Sequence, residues 1–176
     1  MNSPASDDPV GGESSEYEEN LEILRQIDFF SGFPLESLKV FAYLGTRRRF
    51  RAGEFLFEQG EEDASAFAVI GGRLRLERRS EGPPQTIRFY GPGDFIGGLS
   101  LLCECRRLYS LRAEERTVCF VLDQEKFAKA LEQFPAQIPR LLQTVVQSIT
   151  RWEEDFLAEM TEACGRCLPR LGVSLL

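Results

Sequence analysis

The sequence predicts a mainly-β α+β fold: a jelly-roll barrel of the double-stranded β-helix kind, led in by short helices and closed by one long helix. Three observations carry this. From Thr46 to Leu122 short apolar runs alternate with glycine-marked turns at the spacing of an all-β barrel. On either side of that stretch apolar residues recur every three or four positions, the helical period. Between them residues 91–113, GPGDFIGGLSLLCECRRLYSLRA, set Gly91, Gly93, Gly97 and Gly98 ahead of the pair Arg106-Arg107. At 176 residues, 43% of them hydrophobic and 14 of them phenylalanine, the chain can bury the core of one domain with an appendage.

In chain order, residues 1–15 are rich in Ser, Asp, Glu, Gly and Pro and have little to bury, which predicts a disordered acidic tail. Leu21, Ile23, Leu24 and Ile27 predict a short amphipathic helix over 16–27. Phe29-Phe30-Ser31-Gly32-Phe33 reads as a turn with aromatic anchors. A second helix follows Pro34 to about Tyr43, with Leu35, Leu38, Phe41 and Leu44 inward. Strands are expected at 46–51, 54–58, 66–70, 73–79, 85–90, 108–113 and 117–122. The basic run Arg47-Arg48-Arg49-Phe50-Arg51 fits a strand with solvated outward faces, or a docking patch for an acidic partner. The acidic stretch Glu58 to Asp63 lacks the alternating spacing of a calcium loop and reads as a solvated turn. Ser80 to Pro84 is an exposed hairpin loop.

Beyond Leu122 the pattern turns helical, with Asp123 as N-cap and Phe127, Ala130 and Leu131 on one face. Pro135 and Pro139 mark the start of a long helix over 135–163, with Pro139 in its first turn. Ile138, Leu142, Val145, Ile149, Trp152 and Phe156 form a heptad-like seam, continued at Met160, and Leu141, Val146 and Leu157 form a second apolar set beside it. A helix apolar on two sides needs two partners: its own barrel and a second copy. The homodimer is the expectation, and packing of the seam wholly on its own domain is the alternative. Residues 164–176 form a short tail that opens with Cys164-Gly165-Arg166-Cys167.

The glycine-rich stretch is where chemistry is expected. Glycines let backbone approach a ligand and aim N–H groups at it, and a returning arginine adds a charge-assisted clamp on phosphate. The same pattern also fits a turn, a helical turn and a strand with no ligand.

Here the chain resembles a known family. Gly93, Asp94, Gly97, Ser100, Leu101 and Arg107 match, without a gap, the phosphate-binding cassette of the cyclic-nucleotide-binding domain. Gly53 to Glu61, Phe67 to Leu74 and Val121 to Phe127 resemble that family's early strand and turn, its next hairpin and its strand-to-helix junction. The likeness covers roughly residues 22–160 and makes 16–134 the β-roll domain. It implies that Gly97, Gly98, Leu99 and Ser100 seat a phosphate, that Arg107 neutralises it, and that the ligand is cyclic AMP, cyclic GMP or a related small anion. Three positions depart from the family pattern: Gly98 stands where a ribose-binding glutamate is usual, and Leu108 and Tyr109 replace small residues after the arginine. Bulk at those two positions would close the pocket and leave a ligand-free scaffold dimer. The resemblance also places Trp152 near the ligand's base, where an indole can stack on a purine; a lone Trp on an apolar seam is otherwise core.

Composition narrows the rest. The absence of histidine excludes Ser-His-Asp and Cys-His catalytic pairs, imidazole-ligated zinc and imidazole-held haem, and no other acid–base constellation is visible, so no enzyme is expected. A formal charge of −7 argues against a nucleic-acid surface, and the recognition helix of the family's transcription factors is not found, so direct DNA binding is not expected. No apolar run approaches the roughly 20 residues that span a bilayer, and no secretory signal is seen. Five cysteines in no framework spacing fit free thiols in a reducing cytoplasm. Cys164 and Cys167, joined by Cys103 and Cys105, offer a more distant reading as a thiol redox couple or metal site. The expectation is a cytoplasmic, non-catalytic sensor or regulatory module that signals through its last helix to an effector protein.

Overall fold

The computed structural model describes residues 10–159 of the chain. Four helices, α1 (Val10–Gln26), α2 (Leu35–Leu44), α3 (Gln124–Glu132) and α4 (Ile138–Glu159), surround eight strands: β1 (Thr46–Phe50), β2 (Phe55–Phe57), β3 (Ser65–Gly71), β4 (Leu74–Arg78), β5 (Gln85–Tyr90), β6 (Phe95–Ile96), β7 (Ser110–Ala113) and β8 (Thr117–Asp123). Single 3-10 turns lie at Asp28–Phe30, Gly98–Leu101 and Pro135–Gln137. The strands form two antiparallel four-stranded sheets, in the orders β1-β8-β3-β6 and β2-β7-β4-β5. This is the jelly-roll, mainly-β α+β architecture.

Strands β3 and β8 explain why the fold has two cores. Side chains alternate across a strand, and here both faces are apolar. Phe67, Val69, Cys119 and Val121 point into the roll and meet Phe50, Leu56, Phe57, Leu74, Leu76, Leu111 and Ala113. Ala66, Ala68, Phe120 and Leu122 point outward to Leu24, Phe30, Phe33, Leu38, Phe41, Phe127 and Leu141, which come from the helices and the turn between them. The two alanines leave room for an aromatic cluster in which Phe41 stacks on Phe127 at 4.9 Å, with Phe30 5.7 Å from Phe41. Burying each such ring contributes about 1.5–3 kcal/mol.

All seven expected strands are present within two residues of their expected ends, and β6 is additional. Its two residues are too few to show a period. The first helix starts at Val10, so residues 10–15 extend α1 instead of belonging to the tail. Once the anchored turns at Leu24 have nucleated a helix, each further residue adds a hydrogen bond without a new nucleation cost, although Gly11 and Gly12 each oppose it by up to about 1 kcal/mol. Leu35 is 44% exposed, not inward, because it opens the first turn of α2 on the solvent side. Asp123 occupies the N-cap of α3, but its carboxylate makes no cap bond; it faces Lys126 at 3.5 Å and accepts from the Ser65 hydroxyl at 3.4 Å. Pro139 lies in the first turn of α4 as expected.

The seam on α4 divides differently from its heptad reading. Leu141, from the second set, is fully buried on the domain, and Val145 and Ile149 are half-buried. Leu142, Val146, Trp152 and Leu157 are all about half exposed or more. The helix therefore packs on its own domain through the 141–145–149 line, and Ile138, Leu142, Val146, Trp152 and Leu157 are exposed. Met160, the tail from 164 and the Phe156 side chain lie outside the described residues, as do residues 1–9.

Candidate functional site

The site is built where β6 leaves β3. The Gly91–Asp94 turn is tied down twice: the Asp94 carboxylate accepts the Gly91 N–H at 2.8 Å, and Gly93 N–H and Asp94 O bond across to Val69. Two β6 residues then pair with β3, Ala68 with Phe95 and Phe67 with Ile96. At Gly97 the backbone turns left-handed, with φ of 86°. A Cβ there would stand 2.8 Å from the Ser65 carbonyl oxygen and 3.1 Å from Arg107 Nη1. Only glycine fits both the dihedral and the space.

Arg107 arrives from the other side. Its N–H donates to Glu61 O and its carbonyl accepts the Gly60 N–H, each at 2.8 Å. The acidic stretch 58–63 thereby fixes the arginine backbone. The side chain is only 8% exposed. Nη2 donates to Asp63 Oδ2 at 3.0 Å and to the Ser65 carbonyl oxygen, and the guanidinium carbon lies 4.1 Å over the Phe57 ring. Nε, also buried, has no hydrogen-bond partner among the described residues. An unpaired buried donor costs about 1–3 kcal/mol, so this arginine is anchored through one nitrogen with donor capacity left over. The neighbouring cavity, about 640 Å³, is lined in part by Arg78, Arg79, Arg106 and Arg107 against Glu58 and Glu77.

Of the residues expected at the site, Gly97 and Arg107 meet directly. Gly98 follows Gly97 and opens the 3-10 turn, and Leu99 is 54% exposed. Ser100 is buried, and its N–H is spent on Gly97 O at 2.9 Å within the turn. Leu108 is 66% exposed and lines the cavity beside Arg107. Tyr109 is half-buried against the roll core, 5.9 Å from the Arg78 guanidinium. Burial pushes the nearby Tyr90 hydroxyl above its ordinary pKa. A Cβ at Gly98 would meet the rings of Phe95 at 2.9 Å and Phe29 at 3.0 Å, so those aromatics occupy the space a side chain would need.

Trp152 is 59% exposed on α4 and so is not a core residue. Helix α4 approaches the outer side of the cassette across a cleft of about 580 Å³, where Thr144, Ser148 and Arg151 face Asp28, Asp94 and Leu99; Trp152 is not among its lining residues. Three residues that sequence reasoning did not assign to the site hold it together: Asp63, Ser65 and Phe57. Asp63 lay in the stretch read as a solvated turn, and its partner is 44 residues away. Among the described residues no group of three or more Cys, Asp or Glu side chains could hold a metal ion, and no helix is long and apolar enough to cross a membrane.

Two antiparallel four-stranded sheets thus form a jelly roll in which a glycine turn closes on a buried arginine. Residues 47–134 match the family model of the cyclic nucleotide-binding domain, and the chain belongs to that family. It is similar to cGMP-dependent protein kinase 2 of Mus musculus, 25% identical over 140 residues that make up 78% of this chain and 18% of the kinase. It is also similar to the cyclic AMP receptor protein of Thermus thermophilus, 30% identical over 107 residues, 60% of this chain and 50% of the receptor. Among solved structures it resembles a cyclic nucleotide-binding-like protein from Brucella abortus, with a TM-score of 0.61 at 28% identity, over 65% of this chain and 98% of that one. The chain thus spans less than two thirds of either curated relative.

Proposed function

We propose that this chain is a non-catalytic cytoplasmic sensor module that holds cyclic AMP, cyclic GMP or a related small anion between Gly97 and Arg107. The single observation that carries the reading is the Arg107 guanidinium: buried, aligned by Asp63 and Ser65, and left with an unpaired Nε–H. Gly97, Gly98 and Leu99 supply close backbone, and exposed Leu108 lines the cavity beside Arg107. Without a carboxylate at Gly98 the complex lacks one charged hydrogen bond, worth about 1.5–3 kcal/mol, or on the order of ten- to a hundredfold in affinity. The module pairs with a second copy through the outward residues of α4, where Trp152 caps the ligand's base. Ligand binding signals to an effector by its differential affinity for two positions of that helix.

Calorimetric titration with cyclic AMP and with cyclic GMP tests this, with Arg107→Ala as control and circular dichroism to verify that the variant folds. Saturable binding that Arg107→Ala abolishes supports the reading; silence of both nucleotides at millimolar concentration refutes it. One observation favours a second reading. The Phe29 and Phe95 rings that fill the space beside Gly98 are what a ligand-free scaffold dimer of this fold would carry.

A further inference from the structure

Cys103 and Cys105 lie inside the cassette, between the 3-10 turn that follows Gly97 and the arginine that faces it. Their Sγ atoms are 3.0 Å apart. Cys103 is exposed and Cys105 half-buried. The Cys103 Sγ also lies 3.9 Å from the Leu99 carbonyl oxygen, within the last turn of that element. The segment Cys103-Glu104-Cys105 belongs to no helix or strand, whereas Leu102 before it and Arg106-Arg107 after it are fixed by backbone bonds to Leu99, Glu61 and Gly60. Two thiols thus face one another on a short free span between fixed ends.

We propose that Cys103 and Cys105 form a dithiol modification site that reacts with small disulfides of the glutathione class and closes into an intrachain disulfide. The exposed Cys103 thiolate attacks one sulfur of the donor and expels the first thiolate, leaving a mixed disulfide on Cys103. The Cys105 thiolate then attacks the Cys103 sulfur and expels the second. Two protein thiols lose two electrons and two protons, and the donor is reduced to two thiols. The hydrogen bond to Cys103 holds the Cys105 thiol above its ordinary pKa, with burial adding to it, which disfavours Cys105 as the first nucleophile. Bringing the sulfurs from 3.0 Å to a bonded separation of about 2.0 Å shortens the span and stiffens the link between the turn at 98–101 and Arg107. The site stands whether or not a nucleotide occupies the cassette.

The test uses the full chain carrying Cys164→Ser and Cys167→Ser, so that the other thiol pair cannot respond, treated with oxidised glutathione. The expected result is loss of two titratable thiols and of two hydrogen masses, mapped to the peptide containing residues 103–105, with no glutathione retained and full reversal by reductant. Hydrogen exchange across 98–107 slows several-fold in the oxidised form. Adding Cys103→Ser abolishes the closure. A glutathione that stays on Cys103, or thiols that do not react, overturns the proposal. Unchanged exchange across 98–107 after closure overturns its action on the cassette.

Discussion

Asp63 Oδ2 stands 3.0 Å from Arg107 Nη2, joining the acidic turn before β3 to the residue that leads into β7. Both side chains are largely buried, 18% and 8% exposed. Removing one charge leaves the other uncompensated in a poorly solvated place. Asp63→Asn is expected to lower the unfolding free energy by about 2 kcal/mol, read from the urea midpoint at unchanged slope. An unchanged midpoint would mean that the arginine does not depend on its carboxylate.

Gly97→Ala tests the closeness of the cassette to the arginine. The new methyl would meet the Ser65 carbonyl oxygen and the guanidinium, at a φ that non-glycine residues rarely adopt. A loss of about 1–3 kcal/mol follows from strain alone, with weakened anion binding as Nη1 is displaced. Thermal melts and nucleotide titration of the same sample separate the two effects.

On α4, two adjacent leucines have opposite roles. Leu141 is 2% exposed and Leu142 is 56% exposed. Leu141→Ala should destabilise the fold by about 2–5 kcal/mol. Leu142→Glu should leave the melting temperature of the monomer near that of the parent and shift sedimentation equilibrium toward monomer. Sedimentation unaffected by Leu142→Glu would count against dimerisation on this face.

Burial holds the Cys119 thiol well above the ordinary value of 9.0, at about 12, with Arg48 opposing the shift. The folded chain therefore keeps this thiol neutral where the unfolded chain has lost its proton. Its contribution to stability is full below about 9 and declines as pH rises toward about 12. Alkylation at pH 8 should spare Cys119 until urea unfolds the chain, as peptide mapping would show.

Much of the fold was legible because the roll is written in short-range signals. Glycine turns and alternating apolar residues located seven strands, and the helical periods located four helices. What escaped was short or depended on distant partners: β6, with two residues, and the exposure of Leu35 and Trp152. In the candidate site, the closeness of Gly97 to Arg107 was anticipated from the glycine-rich stretch and the arginine that follows it. Asp63 could not, since nothing in an acidic turn announces a guanidinium that arrives 44 residues later.

By itself the sequence determined the class of fold and where its glycine turns fall, because hydrophobic period and glycine position act within a few residues. Only the tertiary structure decided which arginine nitrogen is anchored, that Leu108 faces solvent while Phe29 and Phe95 fill the space beside Gly98, and that Leu141 rather than Leu142 packs on the domain. Each of those depends on what lies opposite a side chain. That is set when two sheets and four helices close on one another, and local pattern carries no record of it.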